Sequence, residues 1–500
     1  VTNLTSPMTR TLATHHEDST HESSISKLRQ TYDLRDKTVI GRGGNGSISI
    51  CTRRGTAQRC ALKTITTGGL TPQVRAELHN EIHVQSSLDH PNIVRVYESF
   101  EDGQAGQVHI VMELCTGGSL VSRLGERLAA HGNTHGFGEA AAALLVEEML
   151  SAVLYCHQHG VVHRDIKLDN FIFRDETESS PLTLIDFGYA TTVQRGDETM
   201  RDMGVGTPSY MAPELWSKVD EGRGRLVYSE DGTPLVFSEN TEDGTPLGYD
   251  SSVDMWALGV VVFLLLSGKR PWYAADLKER GRMIREDPLL FEGARWAHVS
   301  IAAKDFIACL LQKQPGRRLS ARDALGHEWI RQSRQARRHG VDSGQGLSEH
   351  AEIVQALQAF SQADELKKVA LEVIAFATPA SQLEELRKVF VAMDEDSSGT
   401  ISIAEFRKAM SSSPEIAHEQ VFAVFEHMDI NHTGEIDYSE FLAATLSSQR
   451  AMDAPSVGVA FGLLDKDGDG YLTKADLMHT LATPSGGYTE EEVDDLLLSA

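Results

Sequence analysis

The sequence predicts an α+β domain built in two lobes, followed by an all-α array of helix–loop–helix units. Three observations predict this. A glycine-rich turn at Gly41–Gly46 follows a strand-like start and leads to a second strand ending on Lys63. A fixed series of polar motifs then runs from His163 to Glu214. Finally, three twelve-residue loops with regularly spaced oxygen side chains begin at Asp394, Asp429 and Asp465, 35 and 36 residues apart.

Bulk properties set the frame. A chain of 500 residues accommodates about three domains, and 41 % hydrophobic residues suffice for large cores. The net charge of −25 argues against a nucleic-acid partner. Much of the acid belongs to the three loops. The five cysteines (Cys51, Cys60, Cys115, Cys156 and Cys309) are scattered and odd in number, as expected of reduced thiols in a cytoplasmic protein. The longest apolar run, Ala257 to Leu266, is too short to span a bilayer. The chain starts at Val1, and a fourth loop would start just past Ala500, after a helix-like stretch with Val493, Leu496 and Leu497 on one face. We therefore expect a piece cut at both ends, with membrane attachment through a missing N-terminus left open.

In chain order, residues 1–31 lack periodicity and read as a disordered leader; His15, His16 and His21 within it read as a solvated tail. Residues 32–330 form the two-lobed domain, 331–380 a connector that begins basic and becomes amphipathic, and 381–500 the loop array. Ser229–Leu235 recurs almost unchanged as Thr241–Leu247, a polar turn sequence within an expected insert at 219–247.

The turn Gly41-Arg42-Gly43-Gly44-Asn45-Gly46-Ser47-Ile48 has the G-x-G-x-x-G pattern, in which glycines let backbone lie close over phosphates. Cys60-Ala61-Leu62-Lys63 places a lysine on the next strand, where it can meet α- and β-phosphates. Glu81, on a helix, can pair with Lys63 and hold it in place. His163-Arg164-Asp165-Ile166-Lys167-Leu168-Asp169-Asn170 is followed by Asp186-Phe187-Gly188 and Ala212-Pro213-Glu214. Asp165 would orient or accept the proton of a hydroxyl, Lys167 would neutralise a transferring phosphate, and Asn170 and Asp186 would hold two magnesium ions.

With these motifs in this order, the chain resembles the eukaryotic protein kinases. Lys167, together with Gly206-Thr207-Pro208, resembles the serine/threonine branch. The resemblance implies ATP held by Gly41, Arg42, Gly43, Gly46, Ile48, Ala61 and Lys63, with Met112 as gatekeeper, the backbone of Glu113 and Cys115 at the adenine edge, and Asn170 and Asp186 carrying Mg2+. It also implies structural roles for Asp254 and for an Arg318–Glu214 pair.

The loops fit calcium. The ligands expected are Asp394, Asp396, Ser398, Thr400 and Glu405 in the first, Asp429, Asn431, Thr433, Glu435 and Glu440 in the second, and Asp465, Asp467, Asp469, Tyr471 and Asp476 in the third. Position 9 adds Ser402, Asp437 and Thr473. Upstream, Ile353, Leu357 and Phe360, then Leu366, Val369, Ala370, Val373 and Ile374, extend an apolar face suited to a calmodulin-type groove. This arrangement is similar to the calcium-dependent protein kinases, in which an α+β two-lobed kinase domain is fused to an all-α EF-hand (calmodulin-like) domain. The resemblance implies a calcium-activated kinase acting on protein Ser/Thr hydroxyls, monomeric, whose connector blocks the active site until calcium opens the groove that binds it. A calcium-responsive pseudokinase scaffold is the alternative, and intact Lys63, Asp165, Asn170 and Asp186 speak against it.

Several positions depart from the family. Asn45 replaces an aromatic at the glycine-loop tip. Ser119 stands where relatives often carry Glu, which puts a preference for basic substrates in doubt. Asp197, Glu198 or Asp202 could replace an activating phosphate opposite Arg164, with Thr199 or Thr207 as phosphorylation sites the rival reading.

Overall fold

The computed structural model describes residues 14–15, 24–36, 38–43, 46–56, 58–130, 132, 136–193, 206–220, 224–228, 234–238, 250–340, 351–411, 420–446, 454–465, 470–481 and 493. The chain divides into two compact units, Val1–Leu114 with Asp342–Ala500, and Cys115–Val341.

The first unit begins with β1 (Thr14–His15), α1 (Ser24–Thr31), β2 (Tyr32–Asp33), β3 (Val39–Gly43), β4 (Gly46–Arg53), β5 (Arg59–Thr66), α2 (Pro72–Ser86), β6 (Val96–Asp102) and β7 (Gln107–Glu113). The strands form one sheet in the order β1-β6-β7-β5-β4-β2, with β3 on β4. Thr71 caps α2 by accepting from the Val74 N–H, and Pro72 opens it with its fixed φ.

The leader is shorter than expected. Ser24–Thr31 is a helix whose Leu28 is fully buried. Tyr32 explains the order: its hydroxyl donates to Glu98 Oε2 at 2.5 Å, and Arg53 Nη2 reaches the same carboxylate oxygen at 2.9 Å. Burial, then the Glu98 charge, push the phenol pKa well above its ordinary value. Out of water, the Tyr32 hydroxyl, the Glu98 carboxylate and Arg53 Nη2 hold one another.

The second unit contains α3 (Leu120–Ala130), α4 (Glu139–Gln158), β8 (Val161–Val162), β9 (Phe171–Phe173), β10 (Leu182–Leu184), β11 (Thr191–Thr192), α5 (Pro213–Asp220), β12 (Gly224–Tyr228), β13 (Pro234–Ser238), α6 (Ser252–Ser267), α7 (Leu277–Glu286), α8 (Ile301–Leu310), α9 (Ala321–Leu325) and α10 (Glu328–Gly340). Helix α6 is apolar nearly all round and buried along its length, so it forms the core of this unit, and it ends at left-handed Gly268. Helix α4 is apolar enough by composition to cross a membrane, but 67 % of its apolar window is buried within the protein. The insert includes an antiparallel pair, β12 against β13; residues 229–233 of the first polar repeat lie outside the described residues. The second repeat lies outside the described residues.

The chain then returns to the first unit with α11 (Ala351–Ser361), α12 (Glu365–Ala377), α13 (Ala380–Met393), β14 (Ile401–Ser402), α14 (Ile403–Met410), α15 (Val421–Met428), β15 (Glu435–Ile436), α16 (Tyr438–Thr445), α17 (Ala454–Leu464) and α18 (Lys474–Leu481). The amphipathic connector is two helices, broken where Asp364 caps α12 by accepting from the Lys367 N–H at 2.7 Å. Helix α11 packs against α15 and α16, and α12 against α16 and α17. Val354, Leu357, Phe360, Val369 and Val373 are buried there, as the apolar periodicity predicts, with Val354 rather than Ile353 in the deepest place.

This packing explains why the compact units do not follow the sequence boundary at residue 330. On β5, Cys60 and Leu62 point to one sheet face, and Ala61 and Lys63 to the other. Cys60 and Leu62, with Tyr97, Phe100 and Val111, join one continuous core with the connector and the loop helices. Phe376 meets the Tyr97 ring edge-on at 5.9 Å. Arg95 Nη1 donates to the carbonyls of Ala375 and Phe376 at 3.3 and 3.1 Å, with its guanidinium 5.3 Å from the Phe376 ring. The connector is therefore docked on the sheet face opposite Lys63.

Candidate active site and calcium loops

The first unit carries the glycine turn and the lysine. In the β3–β4 hairpin Gly41 pairs with Ile48, Arg42 with Ser47 and Gly43 with Gly46; Gly44 and Asn45 lie outside the described residues. A Cβ on Gly46 would lie 2.0 Å from the Thr64 carbonyl oxygen, so only glycine fits there. Lys63 stands opposite Ile48 in the β4–β5 register, and its Nζ donates to Glu81 Oε1 at 3.0 Å. Ala61 stands opposite Met112, both buried, on the same sheet face as Lys63. The Glu113 N–H donates to the Arg95 carbonyl at 2.9 Å, so Glu113 can meet an adenine through its carbonyl. Cys115, half-buried, opens the second unit.

The second unit carries the catalytic loop. Asp254, buried on α6, accepts the backbone N–H groups of His163 and Arg164 at 2.9 and 2.8 Å, and His157 Nε2 contacts it at 2.9 Å. Burial alone would raise its pKa, but the His157 contact and the His163 hydrogen bond hold it below the ordinary carboxylate range. This anchor permits the left-handed Arg164 (φ 66°), which aims Asp165 at its partners. Thr207 donates to Asp165 Oδ1 from N at 3.1 Å and from its hydroxyl at 2.7 Å; Lys167 Nζ reaches Oδ2 at 2.6 Å and Asn170 Nδ2 at 3.2 Å. Thr207, a candidate phosphorylation site, donates its hydroxyl to the catalytic carboxylate. Gly206 (φ 126°) brings this segment close, since a Cβ there would lie 2.6 Å from the Arg164 carbonyl.

Asn170 Nδ2 also donates to the Asp165 carbonyl at 2.8 Å, which leaves its own carbonyl oxygen as the donor for a cation. Asp186 has φ 72°, and Phe187 beside it is buried against the His163 ring. An acceptor amide and a carboxylate on two rigid segments suit Mg2+, which takes few protein ligands and keeps water and phosphate oxygens. Arg318 grips Glu214 with two bonds of 2.7 and 2.6 Å, as the pairing expected from the motifs requires. Arg164 Nε donates to the Tyr189 carbonyl; Asp197, Glu198, Thr199 and Asp202 lie outside the described residues.

The calcium loops share one geometry. In the first, Asp394 accepts from the N–H groups of Ser398 and Gly399, both at 2.9 Å, while Glu405 Oε1 accepts from Glu395 and Asp396 at 2.8 and 3.2 Å. In the second, Asp429 takes Thr433 and Gly434, and Glu440 takes Ile430 and Asn431. Ile401 pairs with Ile436 between the loops, and the Thr400 hydroxyl donates to Glu435 at 2.5 Å. Oxygens of Asp394, Asp396 and Glu405 all lie within 4.8 Å of one another. Burial, then the charges of Glu405 and Asp396, push Asp394 up to about 8. One buried carboxylate, Asp394, with the exposed Asp396 and half-buried Glu405 gathered beside it, suits the oxygen donor set of a Ca2+ site. In the third loop Asp465 accepts from Gly470, and Asp476 Oδ2 accepts from the Thr473 N–H and hydroxyl. Tyr471 is exposed, and Asp467 and Asp469 lie outside the described residues.

Another cluster, Asp305, Cys309 and His327, also has metal-ligand chemistry. There His327 Nδ1 accepts from the Trp329 N–H, so Nε2 carries the proton and donates to Asp305 at 3.2 Å. That tautomer has no lone pair at Nε2 for a metal.

Sequence reasoning missed Arg95, which donates to the carbonyls of Ala375 and Phe376, and Asp89, which accepts from the Ser439 N–H; no local motif marks them. Thr207 was noticed but its bond to Asp165 was not.

The comparisons agree with this geometry. The family model described as a protein kinase domain matches residues 34–229 and 243–330, interrupted within the insert. An EF-hand domain pair matches 383–446 and a further EF hand 459–481. Calcium-dependent protein kinase 9 of Oryza sativa subsp. japonica is 32 % identical over 94 % of this chain and 74 % of its own length. Calcium-dependent protein kinase 3 of the same plant is 32 % identical over 92 % and 75 %, and calcium-dependent protein kinase 10 of Arabidopsis thaliana 30 % over 93 % and 78 %. The chain belongs to the calcium-dependent protein kinase family: it is a calcium-activated serine/threonine protein kinase that uses ATP and Mg2+ and binds Ca2+ in EF-hands.

Proposed function

We propose that calcium controls this kinase by choosing where the connector sits, and that the enzyme works as a cytoplasmic monomer on protein Ser and Thr hydroxyls. The bond of Arg95 to the carbonyls of Ala375 and Phe376 carries this reading, because it ties the last turn of α12 to the strand region behind Lys63. With calcium bound, the loop helices open and offer the groove that holds α11 and α12. The sheet that carries Lys63 is then buttressed, and its pairing with Glu81 is kept. Without calcium the groove closes and the connector is released to block substrate. A near-complete switch needs several kcal/mol of differential calcium binding, about 5.5 for a hundredfold swing each way.

In the chemistry, Lys63 holds the nucleotide phosphates, and Asp165 orients the acceptor hydroxyl and takes its proton. Lys167 lies where charge builds on the transferring phosphate. The buried cysteines suit a reducing cytoplasm. The test is transfer of labelled phosphate to a Ser/Thr peptide library with and without chelator. Transfer only with calcium supports the reading, and equal transfer in both overturns it.

A further inference from the structure

Two arginines of the second unit flank one exposed ring beside the segment that touches Asp165. Arg280, on α7, donates from Nε and Nη2 to the Ala274 carbonyl at 2.9 and 2.6 Å, and from Nη1 to the Ser209 hydroxyl at 3.1 Å. Its guanidinium lies 5.2 Å from the centroid of Tyr273, and that of Arg270 lies 5.7 Å from the same ring. Tyr273 is 58 % exposed and Arg270 is exposed. Burial, then the charge of Arg270, hold the Arg280 pKa below its usual value.

The acids nearby have other work. Asp276 caps α7 by accepting from the Glu279 N–H, and Glu279, Glu286 and Asp287 bind Arg282. Burial raises the Tyr210 pKa, the Asp169 charge adds to this and the Arg270 charge opposes it. Ser209 is two residues past Thr207, whose hydroxyl is 2.7 Å from Asp165. Two extended residues span at most about 7 Å, so the arginines lie within a few residues of a bound acceptor hydroxyl.

We propose that Arg270 and Arg280, set around Tyr273, recognise an acidic side chain of the protein substrate within about four residues of the phosphorylated hydroxyl. The proposal rests on the kinase reading. Arg270 offers forked donors to a carboxylate, Arg280, anchored on Ala274 and Ser209, adds its charge, and Tyr273 gives both cations a platform. Ser119, in place of the Glu common among relatives, fits a site not built chiefly for basic residues.

The experiment compares serine peptides that differ only by Glu, Ala or Lys at each of the four positions on either side of the serine, with full-length protein and calcium. At one position Glu should exceed Ala by about fivefold in kcat/KM, the scale of one favourable partly exposed ion pair. Arg270→Ala should bring that Glu/Ala ratio near one, and Arg270→Glu should turn the preference toward Lys. Because each ratio is taken within one variant, loss of folded protein cancels. A protein that phosphorylates all peptides equally, or keeps its Glu preference in both variants, overturns the proposal. Failure to phosphorylate any peptide would instead overturn the kinase reading beneath it.

Discussion

The carboxylate of Asp89 accepts the backbone N–H of Ser439 at 2.6 Å. Asp89 follows α2 of the kinase sheet, and Ser439 is the second residue of α16, the helix leaving the second calcium loop. The bond is a helix cap supplied from 350 residues away, and Asp89 is 3 % exposed. Beside it, Arg95 reaches Phe376 and lies 5.9 Å from the Tyr438 ring. Position of the calcium loops and order of the kinase sheet are therefore joined by direct contacts.

Removing this cap should weaken activation. Asp89→Ala costs about 1 kcal/mol of docking, the usual worth of a cap, and so lowers activity at limiting calcium about fivefold. A protein shortened to end at residue 340 should not respond to the same change. Calcium titration of activity in both backgrounds tests this, and an equal loss in the two would mean that Asp89 acts on the kinase sheet alone.

Arg95→Ala should act in the same direction through α12. It removes two hydrogen bonds and the ring contacts, so the expected loss of calcium-dependent activity exceeds that of Asp89→Ala. Hydrogen exchange of α12 in calcium would rise in this variant. Unchanged protection of residues 365–377 would count against the docking role.

Catalysis should fall by at least about a thousandfold in Asp165→Asn, because one acceptor that orients the hydroxyl and one fixed charge are lost together. Calcium binding and thermal unfolding should stay near those of the parent. Turnover within tenfold of the parent in purified protein would refute the role given to Asp165.

The third loop should discriminate less between calcium and magnesium than the second. Asp476, which accepts from the Thr473 N–H and hydroxyl, is one methylene shorter than Glu405 and Glu440, whose carboxylates reach back to the start of their loops. A shorter reach favours six-fold over seven-fold coordination. Calorimetry on Asp476→Glu should show calcium affinity rising; no change in affinity or selectivity would remove the argument.

Breaking the Arg318–Glu214 pair should destabilise the second unit. Arg318 is fully covered, so Arg318→Met leaves the Glu214 charge without its two-point partner, at a cost of about 3 kcal/mol. Chemical denaturation would read this as a lower midpoint.

Much of the site is legible in sequence, because each piece is local. The Gly41–Gly46 turn, the lysine of β5, Asp165 with Asn170, and the loop donors all follow from short spacing rules that a strand, turn or twelve-residue loop imposes by itself. The paired apolar faces of α11 and α12 are likewise periodic and could be read. What lies beyond such rules depends on contacts between distant segments. The order of α1 rests on Tyr32 meeting Glu98 and Arg53, each unremarkable alone. The use of Thr207 rests on Gly206 passing the Arg164 carbonyl. The docking of α12 rests on Arg95, a lone arginine in a loop. Sequence alone determined that a phosphate-transfer site and a calcium sensor share this chain. Tertiary structure decided that the sensor grips the sheet face behind Lys63, because which buried face covers which is set by packing over the whole unit and not by any local pattern.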